Sequence, residues 1–145
     1  MTPRRRPPLN PVRTDEDDAR TMVVLPREVT SAATARAWLV TFTDEHGVSE
    51  GRRRDAVLVI SELVTNALRH GLGEVVARAS IGGRRELQLS VTDSGTELPV
   101  VLPADPERVG GVGLLIVAQL SLDWGVTPFP GGKTVWARLA PVGTS

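Results

Sequence analysis

DAVLVISELVTNALRHG, residues 55–71, decides how the rest of the chain must be arranged. Ala56, Ile60, Leu63 and Ala67 recur at helical spacing, and so do Val57, Val64 and Leu68. Together they form a broad apolar stripe, which predicts an amphipathic helix packed on another layer. Glu62 and Asn66 are four apart, so they sit on neighbouring turns of one face. Asn66 and His70 fall at the edge of the stripe and Glu62 just beyond it, at the rim of a buried surface. A carboxylate and a carboxamide there could share a cleft, although on this helix alone the simpler reading is a pair of solvated polar-face residues.

Downstream of this helix, Gly71 and Gly73 stop it, and two short strands follow, Val75 to Ile81 and Glu86 to Asp93. Gly82-Gly83-Arg84 is suited to a hairpin turn between them. Leu87, Leu89 and Val91 alternate with polar residues, as in an antiparallel sheet with helices on one side. Gly95 to Gly110 reads as an irregular lid, rich in proline. Gly110-Gly111-Val112-Gly113 then leads into an apolar helical run, Leu114 to Leu120. Asp123 to Thr127 and Lys133 to Leu139 are expected to pair across Pro128 to Gly132.

Upstream, Ser49 or Glu50 opens the central helix. A preceding helix from about Ala32 to His46, capped by Thr30 or Ser31, would bury Ala35, Leu39 and Phe42 and end at Gly47. Thr21 to Leu25 reads as a strand. Residues 1–20, with prolines, an arginine run and an acidic cluster, read as a disordered tail. The expected organisation is therefore one domain over 21–140 with a short tail at 141–145. Its fold class is α+β: a two-layer sandwich with a mostly antiparallel sheet and helices on one face.

Composition narrows the chemistry. In the 145 residues, 17 basic and 17 acidic side chains cancel, which offers no electrostatic case for nucleic acid or membrane as a partner. There is no cysteine, so disulfides and thiolate chemistry are excluded. The basic start lacks an apolar run behind it, and no apolar segment approaches the ~20 residues of a membrane helix. A cytoplasmic protein is expected.

Three places could carry chemistry. Asp93 continues the parity of Leu87, Leu89 and Val91, so its carboxylate should point toward the buried face. That is costly unless it meets donors. It would suit an exocyclic amino group such as that of adenine, with Gly95 permitting close approach, although Asp-Ser-Gly is also ordinary turn chemistry. Gly111, Val112, Gly113 and Leu114 open a helix, where backbone N–H groups favour an anion; a plain hinge reads equally well. An Asn66 amide oxygen suits Mg²⁺, and Glu62 one turn away could take a proton. Arg69, His70 and Lys133 could contact phosphates or simply be solvated, and His70 could cap the helix end.

In order along the chain, ELVTNALRHG, VTDSG, a lid, GGVGLLIV and GGKTVWARL resemble the ATP-binding (Bergerat-type) domain shared by gyrase, a heat-shock chaperone, histidine kinases and mismatch-repair proteins, the GHKL superfamily. The compact size and the closing GGKTVWARL look most like the bacterial anti-sigma-factor serine/threonine kinases. The resemblance covers about Thr21 to Leu139. It implies ATP and Mg²⁺ as cofactors, with Glu62 as general base and Asn66 as Mg²⁺ ligand. It implies Asp93 and Gly95 at the adenine, His70 and the lid-end residues Gly111, Val112, Gly113 and Leu114 around the nucleotide, and Thr134 near the base. Members of that branch phosphorylate a serine or threonine of an anti-sigma-antagonist (STAS-type) protein. Many also bind a sigma factor, commonly as homodimers. One departure stands out: Glu97 occupies a position where the family usually has glycine, which motivates an alternative, a nucleotide-gated protein-binding regulator without significant kinase turnover. Strand parity groups Thr134 with Trp136 and Arg138, opposite Val135, Ala137 and Leu139, and leaves open which set the helices cover.

Overall fold

The computed structural model describes residues 19–98 and 113–142. Residues 99–110 of the expected lid, together with Gly111, Val112 and the remainder of both ends, lie outside the described residues. The described elements are β1 (Ala19–Leu25), α1 (Ser31–Glu45), α2 (Glu50–His70), β2 (Val75–Ile81), β3 (Glu86–Asp93), α3 (Gly113–Leu120), β4 (Asp123–Phe129) and β5 (Gly132–Pro141). The strands form one sheet in the order β1-β2-β3-β5-β4, antiparallel at every described pairing. No described helix is long and apolar enough to cross a membrane.

α2 is the hub: it packs on β2, β3 and β5 and lies between α1 and α3. Its β-branched residues each cost a few tenths of a kcal/mol in helix propensity. Burial of Val59, Ile60, Leu63 and Val64 contributes about 1.5–3 kcal/mol apiece, so packing decides the conformation. Ser49 caps the helix, its hydroxyl accepting from the Arg52 N–H. At the other end the Arg27 guanidinium donates to the carbonyls of Ala67, Leu68 and Gly73, reinforcing the Ala67 carbonyl that already accepts from the Gly71 N–H. α1 behaves differently. Thr30 stands at its N-cap position but makes no side-chain cap bond, because its backbone is already helical. Ser31 instead donates to the Pro26 carbonyl at 2.6 Å. Gly47 ends α1 with φ +65°, a conformation glycine adopts at little cost.

The helix-covered face of the sheet carries Val75, Ala77, Ala79 and Ile81 from β2, Leu87, Leu89 and Val91 from β3, and Val135, Ala137 and Leu139 from β5, all buried. The opposite face presents Arg78, Ser90, Thr92, Thr134, Trp136 and Arg138, and the Trp136 indole lies over Gly125. The face of β5 that parity leaves open is thereby settled.

Three boundaries differ from the sequence reading. β1 starts at Ala19, so Ala19 and Arg20 belong to the sheet rather than to a tail. β5 reaches Pro141, and Val142 is buried, its N–H donating to the Arg85 carbonyl. The β4–β5 connection is a two-residue turn, Pro130-Gly131, between the paired Phe129 and Gly132; the pairing extends because Gly131 takes φ +90°. In the β2–β3 hairpin it is Arg85, beyond the expected glycines, that adopts φ +64°.

Candidate functional site

The carboxyl end of α2 and the adjoining ends of β3 and β5 converge on Asp93. This residue is buried, as its parity on β3 requires. Its Oδ1 accepts from the Gly95 N–H at 2.6 Å, the Leu72 N–H at 3.4 Å and the Lys133 Nζ at 3.1 Å. The carboxylate is therefore compensated by donors, which removes the cost of burying it bare. Gly71 is packed against it so closely that an added Cβ would meet the carboxyl carbon and Oδ1 at 2.4 Å. Gly71 has φ −102°, which any residue can adopt, so glycine here serves close approach rather than a special backbone. A Cβ on Gly95 would in turn lie 2.9 Å from the Gly71 Cα. The two glycines and Asp93 form one tight corner.

Back along α2, Asn66 is half-buried, and its Oδ1 is enclosed with no hydrogen-bond partner. A buried amide oxygen without a donor costs about 1–3 kcal/mol, and among the described residues nothing donates to this one. A hard cation fits it: Mg²⁺ takes oxygen ligands, uses few from the protein and completes its shell with water and phosphate. One turn earlier, Glu62 is also half-buried and lies against the start of α3. A Cβ on Gly113 would sit 2.6 Å from its Oε1. The first residue of α3 must be small because this carboxylate passes over it.

Glu62 and Asn66 lie one turn apart on α2, and the Asp93 corner lies against its carboxyl end. From Glu62 to Gly71 the helix rises about 14 Å at 1.5 Å per residue. The order is a carboxylate beside a helix start, an orphan amide oxygen, then a buried carboxylate acceptor. That order suits an elongated, polyanionic ligand with a flat hydrogen-bonding head group.

The structure brings together Glu62 with Gly113, and Asp93 with Gly95. Leu114 is buried behind Gly113 and contributes to the core with its side chain. His70 is exposed at the last position of α2, beside Gly71. Thr134 sits apart from Asp93. Alternation along β5 directs it to the open face, where its hydroxyl pairs with that of Thr92 at 2.7 Å, opposite to Asp93. The β5 residue that does meet Asp93 is Lys133. Its side chain is 1% exposed and ion-paired, so it is neither a surface residue nor a free phosphate ligand. The signal was present in the sequence: Lys133 shares the parity of Val135, Ala137 and Leu139. Gly71 read as a helix stop, and its packing on Asp93 could be seen only once β3 was folded against it. Gly111 and Val112 lie outside the described residues.

A family model described as histidine kinase-like ATPase domain matches residues 25–139. Among solved structures, the chain is similar to the RsbU and RsbW domains of Rv1364c from Mycobacterium tuberculosis, with TM-score 0.66 and 24% identity, covering 88% of this chain and 34% of that one. It is also similar to the histidine kinase domain of the blue-light activated histidine kinase from Erythrobacter litoralis EL346, with TM-score 0.50 and 19% identity, covering 81% of this chain and 61% of that one. At these identities the likeness is one of fold, and this chain spans about a third of the Mycobacterium tuberculosis chain. Comparison with curated protein sequences finds no match.

Proposed function

The chain belongs to the histidine kinase-like ATPase domain family, and from that premise we propose that it is an ATP- and Mg²⁺-dependent protein serine/threonine kinase acting as an anti-sigma-factor-type regulatory switch. The observation that carries this reading is the Asn66 Oδ1 without a donor among the described residues, one turn along α2 from Glu62, which lies against the start of α3. A nucleoside triphosphate laid along α2 would have its base at Asp93, its phosphates near Gly113 and its cation at Asn66. The likeness of fold to a structure containing an RsbW domain supports the regulatory branch over a histidine kinase, as does the closing GGKTVWARL. The partner would be a STAS-type anti-sigma antagonist bearing the acceptor hydroxyl, with a sigma factor as a second partner and a homodimer as the assembly, in the cytoplasm.

The chain's residues would divide the work as follows. Asp93 accepts the exocyclic amino group of the base and fixes its register. Asn66 Oδ1 holds Mg²⁺, which when bound neutralises phosphate charge as it develops. Glu62 orients the acceptor hydroxyl and receives its proton as the hydroxyl oxygen forms a bond to the γ-phosphorus; the bond from that phosphorus to the bridging oxygen breaks, and ADP leaves with the electron pair. The half-buried setting of Glu62 lets it reach both the α3 start and an incoming side chain.

A second reading is a nucleotide-gated binding module without significant turnover. The Lys133–Asp93 pair at the base end and the exposed Glu97 favour it. Incubating the chain with γ-labelled ATP, Mg²⁺ and a panel of STAS-type proteins tests the two together. Label transfer that is lost in Asn66→Ala supports the kinase; calorimetric ATP binding with no transfer to any acceptor supports the module.

A further inference from the structure

Arg27 lies outside the candidate site, yet its side chain braces one wall of it. The residue stands in the connection between β1 and α1, 40 to 46 residues from the carbonyls it reaches. Its root is held in a tight turn: the Ser31 hydroxyl donates to the Pro26 carbonyl at 2.6 Å, and the Ser31 N–H donates to the Glu28 carbonyl at 3.0 Å. From there the guanidinium spans two pieces of backbone. One nitrogen donates to the Ala67 and Leu68 carbonyls at 2.9 and 2.6 Å, in the last turn of α2. The other donates to the Gly73 carbonyl at 3.1 Å, beyond the helix. A cation that only complemented the helix dipole would need no bond past the helix end. A planar fork is the side chain suited to holding two acceptor groups at a set spacing.

The backbone between these anchors is the loop Gly71-Leu72-Gly73. Gly71 is packed against the Asp93 carboxyl group. The Leu72 N–H donates to Asp93 Oδ1 at 3.4 Å, and the Leu72 carbonyl accepts from the Ser94 N–H at 2.8 Å. Two glycines in three residues give the loop little conformational preference of its own, and Gly73 has φ +73°. Its shape must therefore be imposed by its contacts. Among the described residues, Arg27 is the side chain that ties it to the end of α2.

We propose that Arg27 is a positioning residue for the nucleotide base, acting through the 71–73 loop on the orientation of the Asp93 carboxylate. The inference rests on the reading of the Asp93 corner as the base end of a triphosphate site. Without the brace the loop is free to drift from the helix end. The long Leu72 bond is then the first to fail, and the carboxylate loses one of the donors that fix its direction. Selectivity for an exocyclic amino group falls as a result. Contacts to the phosphates and the cation, at the other end of α2, are unaffected. Arg27 is exposed, where ion and hydrogen-bond contributions to stability are small, so its loss should leave the fold intact.

Calorimetric titration of the full chain with ATP and with inosine triphosphate, each with Mg²⁺, tests this. The two ligands differ only at the base edge that Asp93 would read, so phosphate and cation contacts cancel in their ratio. The wild-type protein is expected to favour ATP by about tenfold or more, the worth of one hydrogen bond to a charged group. Arg27→Ala is expected to cut that preference by about fivefold or more, which a purely structural role would not do. Hydrogen exchange without nucleotide gives a second readout: the Ser94 N–H should exchange about tenfold faster in the variant, with Leu63 in the middle of α2 unchanged. A preserved ATP preference, or unchanged Ser94 exchange, in an Arg27→Ala protein that melts cooperatively overturns the proposal. Should Arg27→Ala fail to fold, Arg27→Lys, which keeps the charge but not the fork, is held to the same two criteria. If the wild type binds no ATP or favours neither ligand, the base-end reading of Asp93 falls and takes this one with it. If the wild type favours ATP and the variant does so equally, only the role of Arg27 is lost.

Discussion

The two ends of the candidate site are built on opposite plans. At the Asp93 end every group is committed: the carboxylate is ion-paired, held by two backbone N–H groups and pressed against a glycine that leaves no room for a Cβ. At the Glu62 end the parts are half-buried, with an enclosed amide oxygen lacking a donor among the described residues and a carboxylate lying over a helix start. Both ends hang on the same helix, so the difference is not one of scaffold. On the proposed function it would separate recognition from chemistry: the rigid corner would select and orient the nucleotide, and the less determined end would act on it and let it leave.

Substitutions at each end should therefore fail in different currencies. The largest effect is expected from Asn66→Ala. Removing the cation's ligand should lower phosphotransfer by about a thousandfold, since a bound metal supplies several kcal/mol of charge stabilisation, while the melting temperature holds or rises because an unsatisfied amide is gone. Label transfer and a thermal melt on one preparation check both halves. At the rigid end, Lys133→Met should cost about 3–5 kcal/mol of stability by stranding a buried carboxylate, read as a lowered urea midpoint; a neutral result would mean the corner is not charge-locked. Gly71→Ala follows at about 1–3 kcal/mol, because an inserted methyl must displace the Asp93 carboxylate, which two backbone N–H groups and Lys133 hold in place. Gly47→Ala, remote from both ends and in open space, should cost about 1 kcal/mol through its positive φ alone and leave nucleotide affinity unchanged. The smallest stability change is expected from Gly113→Ala. The added methyl closely meets only Oε1, the far end of the Glu62 side chain, so the midpoint should shift by less than about 0.5 kcal/mol, yet turnover should fall as Glu62 swings aside.

The contrast between the ends also explains what could be read from the residues alone. Helical periodicity fixed α2 and its neighbours, since six buried positions along one stripe leave a single way to pack it. Strand alternation placed Asp93 on the inner face before any coordinates. It could not orient β5, where Trp136 on one face competes with three aliphatic residues on the other. That ambiguity hid Lys133, which reads as a solvent residue by charge and as a core residue by parity. The cap of α1 was missed for a local reason: Thr30 and Ser31 are both good cap residues, and only the turn at Pro26 decides which hydroxyl is used and for what. Gly71 presents the same limit in sharper form, because a close approach between α2 and β3 leaves no mark in either segment taken separately.

The central claim is that one nucleoside triphosphate spans both ends. A crystal structure of the chain with a non-hydrolysable ATP analogue and Mg²⁺ tests it most directly. The account predicts the base against Asp93, the phosphates at Gly113 and the cation on Asn66 Oδ1. An analogue bound elsewhere, or a cation that leaves Asn66 Oδ1 without a ligand, would contradict it.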